Sequence, residues 1–264
     1  MLKISSIIIA KNEELNIRRC IESQLECIDE IIVIVDQDSE DKTLEIVKSF
    51  STNDKTSRVK YEVKKWMGYT KTKQYAVSIA SNDWIFWIDS DEELTRELSK
   101  EILKFKNDSP SRSAYSIPRR AFFLGKWIKH SGWYPGRVTR LFDKNKVKFS
   151  GNDIHEYLIT DGKVGELQND INHYTDPDIH HYFVKFNRYT TLASEELFNK
   201  GKTFLISDII LRPFLIFIKM YIIKKGFLDG IQGFILAVFS SAYVFTKYSK
   251  LWELKKSRQK ESKQ

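Results

Sequence analysis

The chain has 264 residues, 42% apolar and 30% charged, which suits one large domain with a real core, alone or with an appendage. Its net charge of +8 sits in the last quarter: from Gly201 onward there are 12 Lys/Arg against 4 Asp/Glu, and the first 200 residues are neutral. That distribution argues against a nucleic-acid groove on the main domain and points to an anionic membrane surface as the partner of the C-terminal quarter. Cys20 and Cys27 match no metal or redox spacing, which predicts a reducing compartment. No signal peptide is expected, because the apolar run Ile4 to Ala10 is too short for one.

The first hundred residues alternate strand and helix signals. Ile4 to Ile9 is a β-branched run, and Ile17, Cys20, Ile21 and Leu25 then recur at helical spacing. Ile31 to Val35 reads as a second buried strand. Leu44, Val47 and Phe50 mark a second helix, with Asp38, Ser39 and Asp41 near its start. Val59 to Val63 is a weaker strand and Thr70 to Ala80 a third helix. Trp84 to Ile88 is a strand covered on both faces, and it leads straight into Asp89-Ser90-Asp91-Glu92-Glu93. Thr95 opens a further helix through Leu98 and Ile102. This βαβαβαβ order predicts an α/β fold with a mainly parallel sheet and right-handed crossovers.

The pattern changes after about Lys106. Residues 107–114 form a polar linker, and 115–175 mix short strand-like runs with Gly, Pro, Trp and basic residues. Phe183, Phe186, Thr190, Ala193 and Leu197 give a helix closed near Gly201. Two apolar segments follow, 204–223 and 227–246, and from 253 a basic tail is expected to be irregular.

The chemistry collects where strands end, the edge at which open α/β sheets bind ligands. Asn12 and Glu13 follow the first strand, Asp36 ends the second, and Asp89 and Asp91 follow the Trp84 strand. In extended backbone, residues two apart point the same way, so Asp89 and Asp91 would converge on a hard cation, Mg²⁺ or Mn²⁺. A turn and a helix N-terminus would also accept such acids. Residues 119–140 hold Arg119, Arg120, Lys126, Lys129, Arg137 and Arg140 with Trp127, Trp133 and Tyr134. Aromatic faces stack on sugars and Arg forks grip phosphate or carboxylate, which suits an acidic or phosphorylated glycan. The alternative is a basic surface loop whose tryptophans fill the core.

Taken together, Ile7-Ile8-Ile9-Ala10-Lys11-Asn12-Glu13-Glu14, Val33-Ile34-Val35-Asp36-Gln37-Asp38-Ser39-Glu40-Asp41 and Asp89-Ser90-Asp91-Glu92-Glu93 resemble glycosyltransferase family 2. Within it the chain is most similar to non-processive enzymes that add a sugar to the lipopolysaccharide core. The similarity continues through Gly132-Trp133-Tyr134-Pro135, His155-Glu156, Asn187-Arg188-Tyr189-Thr190-Thr191 and Gly226-Phe227-Leu228-Asp229-Gly230. The resemblance implies a GT-A-like fold and an inverting transfer from a nucleotide sugar, a UDP-sugar foremost, to a glycan or glycolipid acceptor. On it Asp36 contacts the uridine, Asp91 binds a metal bridging the diphosphate, and Asp89 assists. Lys73 is a candidate for a positive charge near the diphosphate, and His173 for completing the metal shell or touching the diphosphate. Glu156 is the first candidate for the base that deprotonates the acceptor, and Asp153 the second.

Two departures stand out. The loop after Asp36 lacks the glycine of the family's Ser-Gly-Ser-Thr-Asp, and Gly136 follows Trp133-Tyr134-Pro135 where an acid is common. The expected organisation is a nucleotide-sugar-binding half over 1–106, an acceptor-binding half over 107–180, a helical membrane-associated segment over 181–252 and a basic tail over 253–264. Residues 204–246 would hold the protein peripherally on the cytoplasmic face of a bacterial inner membrane. The alternatives are a sugar nucleotidyltransferase, for which the Gly-rich loop after the first strand is missing, and a catalytically inactive membrane scaffold.

Overall fold

The β-branched run near the N-terminus forms β1 (Ile4–Ala10), the middle of the parallel part of the sheet in the computed structural model, which describes residues 1–51, 57–149, 158–160 and 162–261. It is followed by α1 (Ile17–Glu22), β2 (Glu30–Asp36), α2 (Thr43–Phe50), β3 (Val59–Lys64), α3 (Tyr69–Ser78) and β4 (Trp84–Trp87). The order β3-β2-β1-β4 is parallel throughout, with Ile7 opposite both Ile32 and Trp87. β1, β2 and β4 are buried on both faces and therefore largely apolar, whereas β3, at the end of the order, is only partly buried. Ile8, Val33 and Phe86 pack with Ile17, Cys20, Ile21 and Val47 on one side. Ile7, Ile32, Ile34 and Ile85 pack with Ala76 and Ala80 of the α3 region on the other.

The chain then forms β5 (Glu92–Leu94), α4 (Arg96–Asn107), β6 (Ala114–Phe123), β7 (Lys126–Trp127), β8 (Gly136–Asp143), β9 (Val147–Phe149), β10 (Leu158–Thr160), β11 (Gly165–Glu166) and β12 (Ile171–Asp176). Thr95 caps α4, its hydroxyl accepting from Leu98 N at 3.2 Å, as the sequence predicts. After β4 the sheet continues β8-β6-β12-β5, and the β4–β8, β8–β6 and β12–β5 pairs are antiparallel. The parallel sheet expected from βαβ units thus occupies the first half, and antiparallel strands extend it. The result is the α/β, GT-A-like fold the sequence implies.

The chain divides into two units, Met1–Arg119 with Gly136–His173, and Arg120–Pro135 with Tyr174–Gln264. The second unit holds the ends of β6 and β12, β7, and the helices α5 (Ile179–Asn199), α6 (Ile206–Phe217) and α7 (Gly230–Glu261). A π-helical turn (Ile218–Ile223) and a 3₁₀ turn (Gly226–Asp229) join α6 to α7. Phe123, Ile128 and Leu236 form this unit's core. Two glycines permit its closest approach: a Cβ on Gly233 would stand 2.0 Å from Gly226 O.

Two expectations change here. Residues 204–223, read as one apolar segment, form α6 over Ile206–Phe217 and then a π-helical turn over Ile218–Ile223. The residues from 253, expected to be irregular, continue α7 to Glu261; Leu, Glu, Lys, Arg and Gln are good helix formers, and Leu251 just before them is buried.

Candidate active site

Asp36 closes β2 with its side chain fully buried, and Lys11 Nζ stands 3.0 Å from Oδ2. Its other oxygen accepts from Asp38 N at 3.0 Å, while Ser39 N donates to Asp36 O. These bonds turn the loop without glycine: none of residues 37–41 takes a positive φ. Losing the family glycine therefore costs no strain. Asn12, at φ 54°, accepts on Oδ1 from Glu40 N at 2.8 Å, and Glu13 N donates to Thr43 Oγ1 at 2.7 Å. Both candidates at the end of β1 brace the loop that follows Asp36.

The acids after β4 sit in a turn, Glu92 N donating to Asp89 O at 3.0 Å, and not in extended backbone. The period-two argument fails there, and the two aspartates meet different partners. Asp89 lies 2.5 Å from Arg140 Nη2, accepts from Trp87 Nε1 at 3.3 Å, and has Lys73 at 3.9 Å. Desolvation by the protein around it pushes its carboxyl up, but Arg140 and Lys73 outweigh that and hold it well below the usual range. Asp91 instead faces His173, with Oδ2 and Nε2 3.3 Å apart. That contact spans 82 positions of sequence and is made by β12 pairing with β5, where His173 lies opposite Glu92.

Glu92 anchors this turn. Its side chain is fully buried, accepts from Asp89 N at 3.1 Å, and lies 2.6 Å from Arg140 and 3.7 Å from Arg119. Burial pushes its carboxyl up, opposed by Arg140 and reinforced by Asp89. Glu92 and Trp87 carry roles the sequence reading did not assign, though both lie in the stretch it marked. Lys73, the candidate for a positive charge near the diphosphate, is 7% exposed and lies 3.6 Å from the Trp87 ring centre.

The basic stretch divides by role. Arg140, expected at an acceptor, turns inward to bridge Asp89 and Glu92. Arg137 donates to Ser116 Oγ, Ser116 O and Leu167 O, which commits its fork to the strands around it. In the second unit, Trp133 packs against the Phe123 ring in the core. Arg120 and Lys129 lie 4.8 and 4.7 Å from the Trp127 ring, and Tyr134 meets the same ring edge-on at 5.3 Å. The base candidates Asp153 and Glu156, with His155, lie outside the described residues.

Among the described residues no group of three or more His, Cys, Asp or Glu could form a metal cage. Asp91 and His173 still fit a divalent ion as a two-ligand site. A carboxylate and an imidazole suit Mn²⁺, and a ligand's diphosphate can supply further oxygens. Asp89 is a poorer ligand because Arg140 already neutralises it.

Known proteins are similar to this chain. The family model described as Glycosyl transferase family 2 matches residues 5–167. An uncharacterized glycosyltransferase of Rickettsia typhi is 32% identical over 96% of this chain and 88% of its own. The lipopolysaccharide core biosynthesis glycosyltransferase LpsC of Rhizobium meliloti is 29% identical over 96% of this chain and 93% of its own. The crystal structure of S. aureus TarS 1-349 in complex with UDP aligns at 16% identity with a TM-score of 0.47, covering 97% of this chain and 92% of that one. The family model spans more than half of the sequence and includes every strand-end acid described above, so the chain belongs to glycosyltransferase family 2 and is a glycosyltransferase.

Proposed function

We propose that the enzyme is an inverting, metal-dependent transferase that moves a sugar from a nucleotide sugar, a UDP-sugar foremost, to a lipid-linked or lipopolysaccharide-core glycan. The observation that carries this reading is the row of strand-end acids in the first unit, with Asp36 after β2 and the Asp91–His173 pair after β4. Similarity to a relative named for lipopolysaccharide core biosynthesis supports the acceptor class. The proposed setting is the cytoplasmic face of the inner membrane, where soluble donors meet lipid-borne acceptors.

In this reading Asp36, able only to accept when ionised, takes hydrogen bonds from the nucleoside. Asp91 and His173 hold a divalent ion, Mg²⁺ or Mn²⁺, which supplies Lewis-acid stabilisation of charge on the leaving diphosphate. Lys73 adds a fixed positive charge beside them. Arg140 and Glu92 position the turn that carries Asp91. Glu156, or failing it Asp153, takes the proton of the acceptor hydroxyl as that oxygen attacks the anomeric carbon. Arg120 and Lys129, flanking Trp127, present cations and an aromatic face suited to an acidic glycan.

The test is nucleotide release from a panel of nucleotide sugars with Mn²⁺ or Mg²⁺. Release from a UDP-sugar, abolished by chelation and lowered at least ~100-fold by Asp91→Asn, is expected. Full activity in excess chelator or in Asp91→Asn would contradict the metal role, and no release from any donor would favour an inactive scaffold. With acceptor present, Glu156→Gln should bind donor but transfer slowly. A near-normal Glu156→Gln beside an inactive Asp153→Asn would move the base to Asp153.

A further inference from the structure

The second unit leaves an apolar face in water. On α6, Ile206 and Ile210 are each 69% exposed and Phe214 is 60% exposed. Spaced i, i+4, i+8, they run along one side of the helix, away from the buried Asp208 with its ion pair to Arg212. In the turns after α6, Ile223, Phe227 and Leu228 are 66, 49 and 54% exposed, with Lys224 and Lys225 exposed between them. So many large apolar side chains exposed on one helix side and in the turns that follow it mark an interaction site. Its occupant is indicated by the cations: lysine is depleted from the cores of protein interfaces, whereas interfacial membrane helices combine apolar faces with Lys and Arg. The chain from Gly201 onward also carries all of the molecule's excess positive charge.

We infer that the outward side of α6 and the turn from Ile222 to Ile231 lie in the plane of an anionic phospholipid leaflet. Ile206, Ile210, Phe214, Ile223, Phe227 and Leu228 enter the acyl boundary, and Lys224 and Lys225 reach up to the phosphates. The helix α7 packs on α5 and α6 and buries Leu236, Ala237, Tyr248 and Leu251. The stretch Gly226–Arg258, most of it α7, is the one helix among the described residues long and apolar enough to cross a bilayer, with 22% of its apolar window buried; in this inference it lies behind the lipid-facing surface and does not span. This inference rests on the membrane setting proposed above and adds the surface, its orientation and the lipid class.

The experiment is cosedimentation of the purified full chain with vesicles of phosphatidylcholine alone or mixed equally with phosphatidylglycerol. The double variant Ile210→Asp/Phe214→Asp is compared with Leu15→Asp, which alters a 79% exposed leucine of the first unit. Both targets are exposed, and a thermal melt checks that each variant folds. Wild type and Leu15→Asp should bind the anionic vesicles and the double variant about tenfold or more weakly, with binding to neutral vesicles weak throughout. Equal binding by the folded double variant overturns the inference. So does binding that ignores phosphatidylglycerol, or a wild-type dimer by light scattering that the double variant dissociates, which would make the face a protein interface. Wild type that binds no vesicle overturns the membrane setting as well. Nucleotide release from soluble donors, measured without lipid, reports on the transferase reading separately.

Discussion

Arg140 determines which acid of the turn after β4 remains available. One guanidinium bridges Asp89 at 2.5 Å and Glu92 at 2.6 Å, so a residue on β8 engages both carboxylates with one positive charge between them. Removing the guanidinium takes from the fully buried Glu92 its nearest cation and leaves it Arg119 at 3.7 Å, while the 40% exposed Asp89 side chain keeps Lys73 at 3.9 Å, so Glu92 bears most of the cost. A second buried acid, Glu30 at the start of β2, is purely structural. It accepts from Ser5 Oγ, Ser81 N and Ser81 Oγ, and pairs with Lys60 at 2.7 Å. Burial pushes its carboxyl up, but Lys60, Ser5 and Ser81 outweigh that and lower it from 4.5 to about 2. A lowered folded value stabilises the protein above the unfolded one, so this contribution is complete above about pH 4.5 and disappears as pH falls through about 2. It amounts to roughly 3 kcal/mol. Denaturant unfolding should therefore show Glu30→Gln less stable than wild type near pH 7, with the gap narrowing below about pH 3. A gap independent of pH would mean the loss comes from packing.

The turn between α6 and α7 is held by one side chain. Asp229 is 2% exposed and accepts from Lys129 N at 3.2 Å, His130 N at 2.9 Å and His130 Nδ1 at 3.0 Å. Its own carbonyl accepts from Lys126 Nζ at 2.7 Å. The segment after β7 is thereby clamped onto the helical hairpin, beside the glycines at 226 and 233 that allow the backbones to touch. Asp229→Ala leaves the backbone N–H groups of Lys129 and His130 without their acceptor in a partly buried place, a loss of about 1–3 kcal/mol. Thermal melts of the full chain should show that loss, and should show Gly233→Ala at least as damaging, since its methyl would overlap a backbone carbonyl. An Asp229→Ala protein that melts with wild type would reduce the clamp to a surface contact.

For the protein in a cell, the uneven charge is the governing feature. A neutral first 200 residues are followed by a basic, apolar helical end, which in the membrane setting proposed above is the part that attaches. Binding by an in-plane helix and lysines is reversible, whereas a spanning helix is not. Membranes from cells making the full chain should release it with high salt or alkaline carbonate. Release by detergent alone would favour α7 as a spanning helix, and recovery in the soluble fraction without treatment would favour a free-standing protein.

The strands, helices and acids of the first hundred residues are legible along the chain, because each buried strand and amphipathic helix writes its own period and each acid follows a strand. The Thr95 cap and the closure of α5 near Gly201, at φ 69°, are local in the same way. What the acids do is not local. Whether Asp89 or Asp91 is the freer ligand depends on Arg140 from β8 and His173 from β12, brought in by pairings 51 and 82 positions away. Lys73 became a buried site residue only because α3 packs beside Trp87. Arg137, Arg140 and Trp133 look like a binding stretch in sequence. In the fold their polar and aromatic ends satisfy strands and core, since a basic or aromatic run carries no record of which side chains turn inward. Long-range pairing, with its demand that every buried charge find a partner, made those assignments.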